Sequence, residues 1–432
     1  MTPSETLLTL EALRRGDLAG ARSLRLAGLS EFPREIYGLA DTLEFLDLGN
    51  GALDAFPDDF GRLRKLRVLF CSNNRFARLP PALGACGELR LIGFRSTGMR
   101  EVPGESLPPR LRWLTLTDNS IESLPDALGA RDDLQKLMLA GNRLQALPEG
   151  LAGAASLELI RLSANHFERL PAWLRELPSL AWISWAANPC ARTPGTACAP
   201  LAPWSRLVIG PLLGEGASGR VHAAEWRMTE ETTRPVALKL FKGGMTSDGL
   251  PAHEMAACLA AGAHPNLMGA VGRLTQHPEG SEALLTPLAP PHWRPLAGPP
   301  SLESCSRDVY DPGLHISVDA ARRLLRGIAG ATAHLHERGL LHGDLYAHNI
   351  LWDGADGDGV LTDFGAACAL PPDNHGADWR RIESRAFGLL VAEILERCPQ
   401  EPALSPLHEL ARGCIQKDVR ARPSMSDVAR AL

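Results

Sequence analysis

The first half of the chain repeats one pattern of apolar and polar positions. Leucine-type residues follow the spacing L-x-x-L-x-L, as in Leu134 to Leu139, and a polar residue, usually asparagine, comes three positions later. Because successive strand positions face opposite sides, each copy predicts a short strand with one buried face. The copies begin at Leu43, Leu66, Leu89, Leu111, Leu134, Leu157 and Leu180.

Prolines recur in phase with these leucines, 22 to 24 residues apart, at Pro33, Pro57, Pro80, Pro103, Pro125, Pro148 and Pro171. A fixed period of this length indicates a solenoid, in which each coil buries the face of the next. The pattern resembles the leucine-rich repeat of the 23-residue LPxxL type. The asparagine that comes three positions after the last leucine of each copy can bind backbone groups at the bend. It is present as Asn74, Asn119, Asn142, Asn165 and Asn188. Gly51 and Thr97 replace it in two coils, which predicts looser packing there.

The ends of such an array need caps, because a terminal coil has one uncovered face. Residues 4–19 have the apolar spacing of a helix, so we expect an N-terminal helical cap over 1–20. The repeats then span 21–188, and a proline- and alanine-rich stretch, 189–205, is expected to be the rear cap and a linker.

One column of the repeat is expected to point out of the concave sheet, because it stands just before the second leucine of each copy. Most of its members are apolar, which favours a surface that binds a protein partner, with Phe45, Trp113 and Trp182 as the main contacts. The alternative is that the column packs on the protein's own second half. The column contains Phe45, Val68, Leu91, Trp113, Lys136, Leu159 and Trp182.

The second half carries a different, ordered series of motifs, beginning soon after Ser205. The series is Gly214-Glu-Gly216-Ala-Ser-Gly219-Arg-Val221, Val236-Ala-Leu-Lys239, Glu254, His264-Pro-Asn266, His342-Gly-Asp344-Leu-Tyr-Ala-His-Asn349, Asp363-Phe-Gly365 and Arg422-Pro-Ser424. Together these residues resemble the eukaryotic-type protein kinase domain. The predicted architecture is therefore an α/β leucine-rich-repeat solenoid followed by an α+β two-lobed kinase-like domain over 206–432, with the N-lobe to about 285 and the C-lobe from about 290.

The resemblance implies a catalytic set that transfers the γ-phosphate of Mg·ATP to a protein hydroxyl, with Ser/Thr favoured. Lys239 would hold the α- and β-phosphates and pair with Glu254, and Asp344 would accept or orient the proton of the attacking hydroxyl. Asn349 and Asp363 offer the oxygen ligands that Mg²⁺ prefers.

The same resemblance implies the nucleotide-binding residues. Backbone N–H groups at Gly214, Gly216 and Gly219 can approach phosphates because no Cβ stands in the way. The residues expected around the adenine are Leu213, Val221, Ala237, Leu351, the gatekeeper Thr286, and the hinge positions Pro287 and Ala289.

Several positions depart from the family pattern. Gly343 stands where phosphorylation-switched kinases carry Arg, and no Ser, Thr or Tyr lies between Phe364 and Glu383. We therefore expect a shortened activation segment and no activation-loop phosphoswitch. Tyr346 replaces the Lys of Ser/Thr kinases, and His348 is a candidate substitute for that cation.

Two other functions remain open. His-Gly-Asp-Leu is also typical of aminoglycoside and choline phosphotransferases, which act on small molecules. A catalytically inactive pseudokinase that serves as a scaffold is the second alternative, although pseudokinases usually lose one of the catalytic Lys or Asp residues, and here all are present.

Composition narrows the classes of partner. The 432 residues carry a net charge of −5, without the basic excess that nucleic-acid binding requires. No apolar run is long enough to span a membrane, and the N-terminal residues are too charged for a secretory signal. Nine scattered cysteines do not form a disulfide pattern, so we expect a cytoplasmic protein. Forty arginines against five lysines indicate a GC-rich, bacterial coding sequence.

Overall fold

A computed structural model describes residues 3–194, 199–216, 218–371 and 376–432. The chain divides into two compact units, which meet in sequence between Ser179 and Leu180. The boundary falls inside the repeat pattern, so the last copy, which begins at Leu180, belongs to the second unit.

The first unit begins with a helix and continues as a parallel sheet whose strands follow chain order. Equivalent repeat positions lie side by side, since Leu91 pairs with Trp113 and Trp113 pairs with Lys136. The parallel solenoid predicted from the period is therefore confirmed. The elements are α1 (Pro3–Arg15), β1 (Ser23–Arg25), β2 (Phe45–Asp47), β3 (Val68–Phe70), β4 (Leu91–Gly93), β5 (Trp113–Thr115), β6 (Lys136–Met138) and β7 (Leu159–Arg161).

Each periodic proline stands immediately before a short 3-10 helix on the return side of its coil. Proline suits this place because its fixed φ starts a helical turn and it has no N–H left unpaired. The turns are Arg34–Leu39, Asp58–Arg62, Pro81–Ala85, Gly104–Ser106, Asp126–Leu128, Glu149–Gly153 and Ala172–Glu176.

The asparagine of each coil binds backbone groups of its own coil and the one before it. Asn142 donates from Nδ2 to the carbonyl oxygens of Leu116 and Leu139, both at 2.9 Å, and its Oδ1 accepts from Ile121 N at 3.1 Å. Asn165 makes the equivalent set one coil later. The amide thus joins neighbouring coils, as the sequence predicted.

The residue before that position has a positive φ in every coil, so the chain turns through the left-handed region once per repeat. The residues are Gly28, Asn50, Asn73, Ser96, Asp118, Gly141, Ala164 and Ala187, with φ between 54° and 72°. Only glycine occupies this region without steric cost, and asparagine and aspartate tolerate it better than alanine does.

The two coils that lack asparagine are nevertheless tightly packed, so the prediction of looseness there is wrong. A Cβ at Gly51 would lie 2.5 Å from the carbonyl oxygen of Leu29, which shows how closely the coils approach. The hydroxyl of Thr97 is 2.9 Å from Oδ1 of Asn119 in the next coil. A small side chain or a hydroxyl therefore serves at these two positions.

The concave column is less uniformly exposed than the sequence predicts. Phe45 and Trp113 are partly exposed, whereas Leu91 and Leu159 are 4% and 3% exposed. The indole of Trp113 lies beneath the ammonium of Lys136, 4.1 Å from its ring centroid, and donates to Thr115 Oγ1 at 2.9 Å. Neighbouring coils thus cover part of the aromatic surface.

The second unit begins with the last repeat strand, β8 (Trp182–Ser184), and continues into a six-stranded mixed sheet with the order β10-β11-β12-β14-β13-β9. One helix follows the third long strand of this sheet. The elements are β9 (Leu201–Pro203), β10 (Leu207–Glu215), β11 (Gly219–Arg227), β12 (Thr233–Phe241), α2 (Pro251–Ala261), β13 (Gly272–Thr275) and β14 (Ala283–Pro287).

Strand β9 corrects the predicted linker. Residues 201–203 were expected to lie in the linker 189–205, but they pair in parallel with β13 at the sheet edge, and Ala202 is fully buried. Ala202 packs in an apolar cluster with Trp226 and Leu285, which explains why this short segment becomes part of the sheet. Residues 195–198 of the predicted linker lie outside the described ranges.

The remaining part of the second unit is mostly helical. Its longest amphipathic helix, predicted over 319–338, spans Val318–Glu337 and is capped by Ser317, whose Oγ accepts from Ala320 N at 3.2 Å. The elements are β15 (Arg294–Pro295), α3 (Val318–Glu337), β16 (Leu340–Leu341), β17 (Ile350–Trp352), β18 (Gly359–Leu361), β19 (Cys368–Ala369), α4 (Gly376–Leu395), α5 (Ser405–Cys414) and α6 (Met425–Ala431). Within the described ranges, none of the helices combines the length and apolarity that a membrane crossing needs.

We expect Asn142→Ala to lower the free energy of unfolding by about 1–3 kcal/mol, because the buried N–H of Ile121 loses its acceptor. The carbonyls of Leu116 and Leu139 each lose one donor but keep a second, from Asn119 and Asn165. Urea unfolding followed by circular dichroism measures the change. Glu122→Ala is the control, since Glu122 is largely exposed and makes only a 4.0 Å ion pair. Equal stability of the two variants would contradict the role given to the asparagine.

Candidate active site

A cleft of about 740 Å³ lies in the second unit, between the six-stranded sheet and the segment from Leu351 to Phe364. Eleven residues predicted to bind the nucleotide or the metal line it. They are Leu213, Gly214, Val221, Ala237, Lys239, Glu254, Thr286, Pro287, Ala289, Leu351 and Asp363. The volume lies within the range typical of small-molecule sites.

The ammonium of Lys239 forms an ion pair with Glu254 inside this cleft. β12 supplies the lysine and α2 supplies the glutamate, which is 5% exposed. Burial alone would lower the pKa of Lys239, but the carboxylates of Asp363 and Glu254 raise it above its ordinary value. The two carboxyl groups therefore favour the charged form of Lys239, while burial raises the pKa of its partner Glu254.

Asp344 and Asn349 lie together on the loop that follows β16. Asn349 donates from Nδ2 to Asp344 Oδ2 at 2.8 Å and to the Asp344 carbonyl at 2.9 Å. These bonds commit the amide nitrogen and leave the amide oxygen as the group that can bind a cation. The Asn349 carbonyl accepts from both N and Oγ1 of Thr362, which places this loop beside Asp363.

Asp363 itself occupies the left-handed region, with φ at 58°. Its Oδ1 accepts from Gly365 N at 2.9 Å, and this local bond helps an aspartate to adopt that conformation. Such strain is concentrated at functional sites, because surrounding contacts must hold it in place.

The three glycines of the phosphate-loop motif have different physical roles. A Cβ at Gly214 or Gly216 would meet nothing within 4 Å, so the space beside both is open. A Cβ at Gly219 would lie 2.3 Å from the Leu240 carbonyl oxygen, so glycine is required there by the contact between β11 and β12. Lys242, which the motif analysis did not use, donates to the Gly216 carbonyl at 3.1 Å and pairs with Glu215.

The predicted hinge follows directly from strand register. In the β12–β14 pair, Ala237 lies opposite Thr286 and Val236 lies opposite Pro287. Pro287 ends β14, and Pro287 and Ala289 both line the cleft. Proline is tolerated at this strand end because its missing N–H is not needed there.

A buried carboxylate, Glu383, forms a hydrogen bond with the loop that carries Asp344. Glu383 of α4 accepts from Gly343 N and from His336 Nε2, both at 2.7 Å. Burial favours the neutral acid, but these donors lower the pKa of Glu383 below its ordinary value. His342 adds a bond from Nε2 to the Thr362 carbonyl at 2.9 Å.

His348, the candidate substitute for the missing lysine, is held by a second buried carboxylate. Asp308 binds its Nδ1 at 2.7 Å and its backbone N at 3.0 Å. Burial alone would lower the pKa of His348, but the Asp308 bond and the nearby Asp344 raise it. The pKa of His348 is therefore higher than that of an ordinary histidine.

Trp182 does not lie on an exposed face, which corrects the prediction made for it. It is 2% exposed, and its ring stacks on that of Tyr346 with centroids 4.1 Å apart and planes 7° apart. Trp182 thus packs on the loop that carries Asp344 and Tyr346. For this residue the alternative applies, that the column packs on the protein's own second half. Phe45 and Trp113 remain partly exposed.

Sequence reasoning missed several residues that complete the cleft. Phe241, Cys258, Met268 and Trp293 line it without belonging to a motif. Only strand periodicity could have placed Phe241, two positions after Lys239 on the same side of β12. Burial raises the pKa of the Cys258 thiol to about 12, so this group is an apolar wall rather than a nucleophile.

The segment after Asp363 is short, as predicted. Two residues form β19, which pairs with β16, and α4 already begins at Gly376. Residues 372–375 lie outside the described ranges. Only twelve residues, 364–375, therefore separate Asp363 from α4, which is little chain from which to build a docking platform for a peptide.

Comparison with known proteins agrees with this architecture. Residues 207–388 match the protein kinase domain family, and residues 109–167 match the leucine rich repeat family. The family matches therefore show a leucine-rich-repeat region over 109–167 followed by a protein kinase domain over 207–388.

Three of the proteins that the chain is similar to are plant kinases. The chain is 28% identical over 245 residues to putative cyclin-dependent kinase F-2 of Oryza sativa, a match that covers 51% of this chain and 72% of that protein. It is 31% identical over 176 residues to CBL-interacting protein kinase 22 of the same species, covering 39% and 38%. It is 48% identical over 147 residues to serine/threonine-protein kinase AtPK2/AtPK19 of Arabidopsis thaliana, covering 29% of each chain. The chain therefore spans less than two fifths of the last two proteins.

The largely buried carboxyl of Glu393, near Asp308, gives a prediction about the pH dependence of stability. Burial, followed by repulsion from Asp308, raises the pKa of Glu393 to about 7, and Tyr310 donates to it at 3.0 Å. The folded protein thus binds this proton more tightly than the unfolded chain does. Stability from this source is complete below pH 4.5 and is lost as the pH rises to about 7.

We expect Glu393→Gln to become more stable than the wild type as the pH rises, by up to about 3 kcal/mol at pH 8, since the amide keeps an acceptor for Tyr310 and never ionises. Urea midpoints at pH 5, 6, 7 and 8 measure the difference. Glu396→Gln is the control, because the Glu396 side chain is 72% exposed. A difference that does not vary with pH would count against the buried ionisation.

Proposed function

We propose that the protein is an ATP-dependent protein kinase that transfers the γ-phosphate to a protein hydroxyl. The observation that carries this proposal is that the Lys239–Glu254 pair and Asp363 line one cleft. The Asp344–Asn349 pair lies on a loop that is hydrogen-bonded to Thr362, next to Asp363. Phosphoryl transfer depends mainly on positioning and charge neutralisation, and these groups are suited to both.

The residues fit ATP as follows. Leu213, Val221, Ala237 and Leu351 offer apolar walls for the adenine, while Pro287 and Ala289 offer a backbone carbonyl and an N–H for its edge. The open space beside Gly214 and Gly216 leaves room for phosphates, with Lys239 supplying positive charge.

The donor set also fits a hard cation. The amide oxygen of Asn349 and the carboxylate of Asp363 would hold Mg²⁺, whose chemistry is to neutralise charge on the phosphates. Asp344 would accept or orient the proton of the acceptor hydroxyl, and the hydrogen bond from Asn349 keeps its carboxylate in place.

We further propose a Ser or Thr acceptor, a role in signalling, and a location in the cytoplasm. One relative, AtPK2/AtPK19 of Arabidopsis thaliana, is named a serine/threonine-protein kinase, which supports the acceptor. Eight cysteines in the described ranges are free thiols, as expected in a reducing compartment. The repeats would recruit a protein partner or substrate through the concave face, with Phe45 and Trp113 in contact.

A small-molecule phosphotransferase is the second candidate. Two features favour it: Gly343 gives the loop the wording His-Gly-Asp, and α4 begins only thirteen positions after Asp363. A small acceptor would need no peptide platform, whereas a protein acceptor must be positioned by other surfaces.

The test is transfer from labelled ATP by the purified full-length chain with Mg²⁺. We expect label on Ser or Thr of the chain itself or of a general protein substrate, and Asp344→Asn should reduce the rate by at least about 100-fold, since proton transfer contributes 10² to 10⁴. Nucleotide binding should remain within about threefold. Asp356→Asn, in an exposed turn, is the control and should leave the rate unchanged.

The outcomes separate the three functions. Label on aminoglycosides or choline but on no protein would favour the small-molecule enzyme. Nucleotide binding without transfer to any acceptor, with no effect of Asp344→Asn, would favour the inactive scaffold and overturn the proposal.

Activity should not depend on phosphorylation of the activation segment, because no Ser, Thr or Tyr lies between Phe364 and Glu383 and Gly343 offers no cation to hold a phosphate. We expect phosphatase treatment of the full-length protein to change kcat by less than about twofold. Mass spectrometry of the untreated sample maps any sites. A phosphosite in this segment that raises kcat would contradict the prediction.

A further inference from the structure

The last repeat strand contacts the loop that carries Asp344. The indole of Trp182 stacks on Tyr346, two residues beyond Asp344, and its Nε1 donates to the Leu345 carbonyl at 3.0 Å. The guanidinium of Arg307 also lies over the Trp182 ring, 5.3 Å from the ring centroid. Both residues that follow Asp344 are therefore held by one side chain.

The same strand also limits the residue before Asp344. A Cβ at Gly343 would lie 2.6 Å from the carbonyl oxygen of Ile183 and 2.6 Å from that of Ala366, and φ at this position is +74°. Glycine is thus required by the close approach of β8 to the loop. On the other side, Glu383 accepts the Gly343 N–H, so the backbone on both sides of Asp344 is fixed.

Ser184, the last residue of β8, and Trp185, which follows it, contact two further elements of the second unit. Ser184 Oγ donates to the Asp248 carbonyl at 3.3 Å, in the segment before α2. The ring of Trp185 lies 4.9 Å from that of Trp379 in α4. Four residues of repeat sequence therefore contact the catalytic loop, the approach to α2 and the first turns of α4.

We propose that Trp182 is a positioning residue, which holds the catalytic loop so that the Asp344 carboxylate meets the acceptor hydroxyl. The proposal rests on the proposed kinase function. An aromatic stack contributes about 0.5–1.5 kcal/mol beyond its burial, so its loss permits other loop conformations without unfolding the lobe. A misplacement of about 1 Å at a reacting group can cost 100-fold in rate.

The experiment compares three variants in the full-length chain: Trp182→Ala, Trp182→Phe and Trp173→Ala. Trp173 lies in the 3-10 helix on the return side of the preceding coil, so it is the tryptophan control. We expect Trp182→Ala to lower kcat at least 10-fold with KM for ATP within twofold, because the nucleotide cleft keeps its lining. Trp182→Phe keeps a stacking ring and should recover kcat to within about threefold, and Trp173→Ala should match the wild type.

Hydrogen exchange of residues 341–350 is the second measurement, and it does not require activity. Amides from Leu345 to Asn349 should exchange at least 10-fold faster in Trp182→Ala than in the wild type, and those of β12 should be unchanged. Unchanged kcat and unchanged loop exchange in a folded Trp182→Ala protein would overturn the proposal. If that variant does not fold, Tyr346→Leu removes the same stack from the loop side and decides the question.

The two proposals fail in different ways. A wild type that transfers no phosphate to any acceptor overturns the kinase function, and loop exchange then still decides whether Trp182 restrains the loop. An active wild type with a kcat insensitive to Trp182→Ala overturns only the positioning role.

Discussion

The site depends on one shared cation. Two carboxylates, Glu254 and Asp363, lie near the single ammonium of Lys239 in a largely buried cleft, and their attraction outweighs the cost of removing that charge from water. This arrangement constrains both β12 and α2, because neither can shift without leaving a buried charge uncompensated. Two carboxylates against one ammonium also leave an excess of negative charge in the cleft, which favours a divalent cation there.

The solenoid was predictable from the sequence because its constraint is local and repeated. A strand with alternating leucines, a proline that starts the return turn, and an amide that binds the bend each act within one coil or between neighbours, so the period alone specifies them. The tight packing at Gly51 was not predictable, since it depends on the distance between two backbones rather than on the residue pattern. The burial of Leu91 and Leu159 could not be predicted from the pattern for a similar reason. A period indicates which way a side chain points, but not which residues cover it.

The motif residues of the cleft were also predictable, because phosphate and metal chemistry restricts the residue types and their order. The structure brings Lys239, Glu254 and Asp363 to one cleft and places Asn349 against Asp344. What the motifs could not give was the contribution of segments far away in sequence. β9 joins the sheet through buried Ala202, and Trp182 reaches the catalytic loop across more than 160 positions of chain, so neither could be found from local periodicity.

Each coil contains its own left-handed residue and, in most cases, its own carbonyl-binding amide, so the conformational demands of a coil are met within its own 22 to 24 residues and its neighbour's edge. An array built in this way can lengthen or shorten by duplication or deletion of whole coils without new turn chemistry. The coil that begins at Leu180 is the exception, because its side chains are committed to Tyr346 and Trp379. Gene rearrangements that change the number of coils should therefore preserve this last one. Coils should be gained or lost only at positions before Leu180.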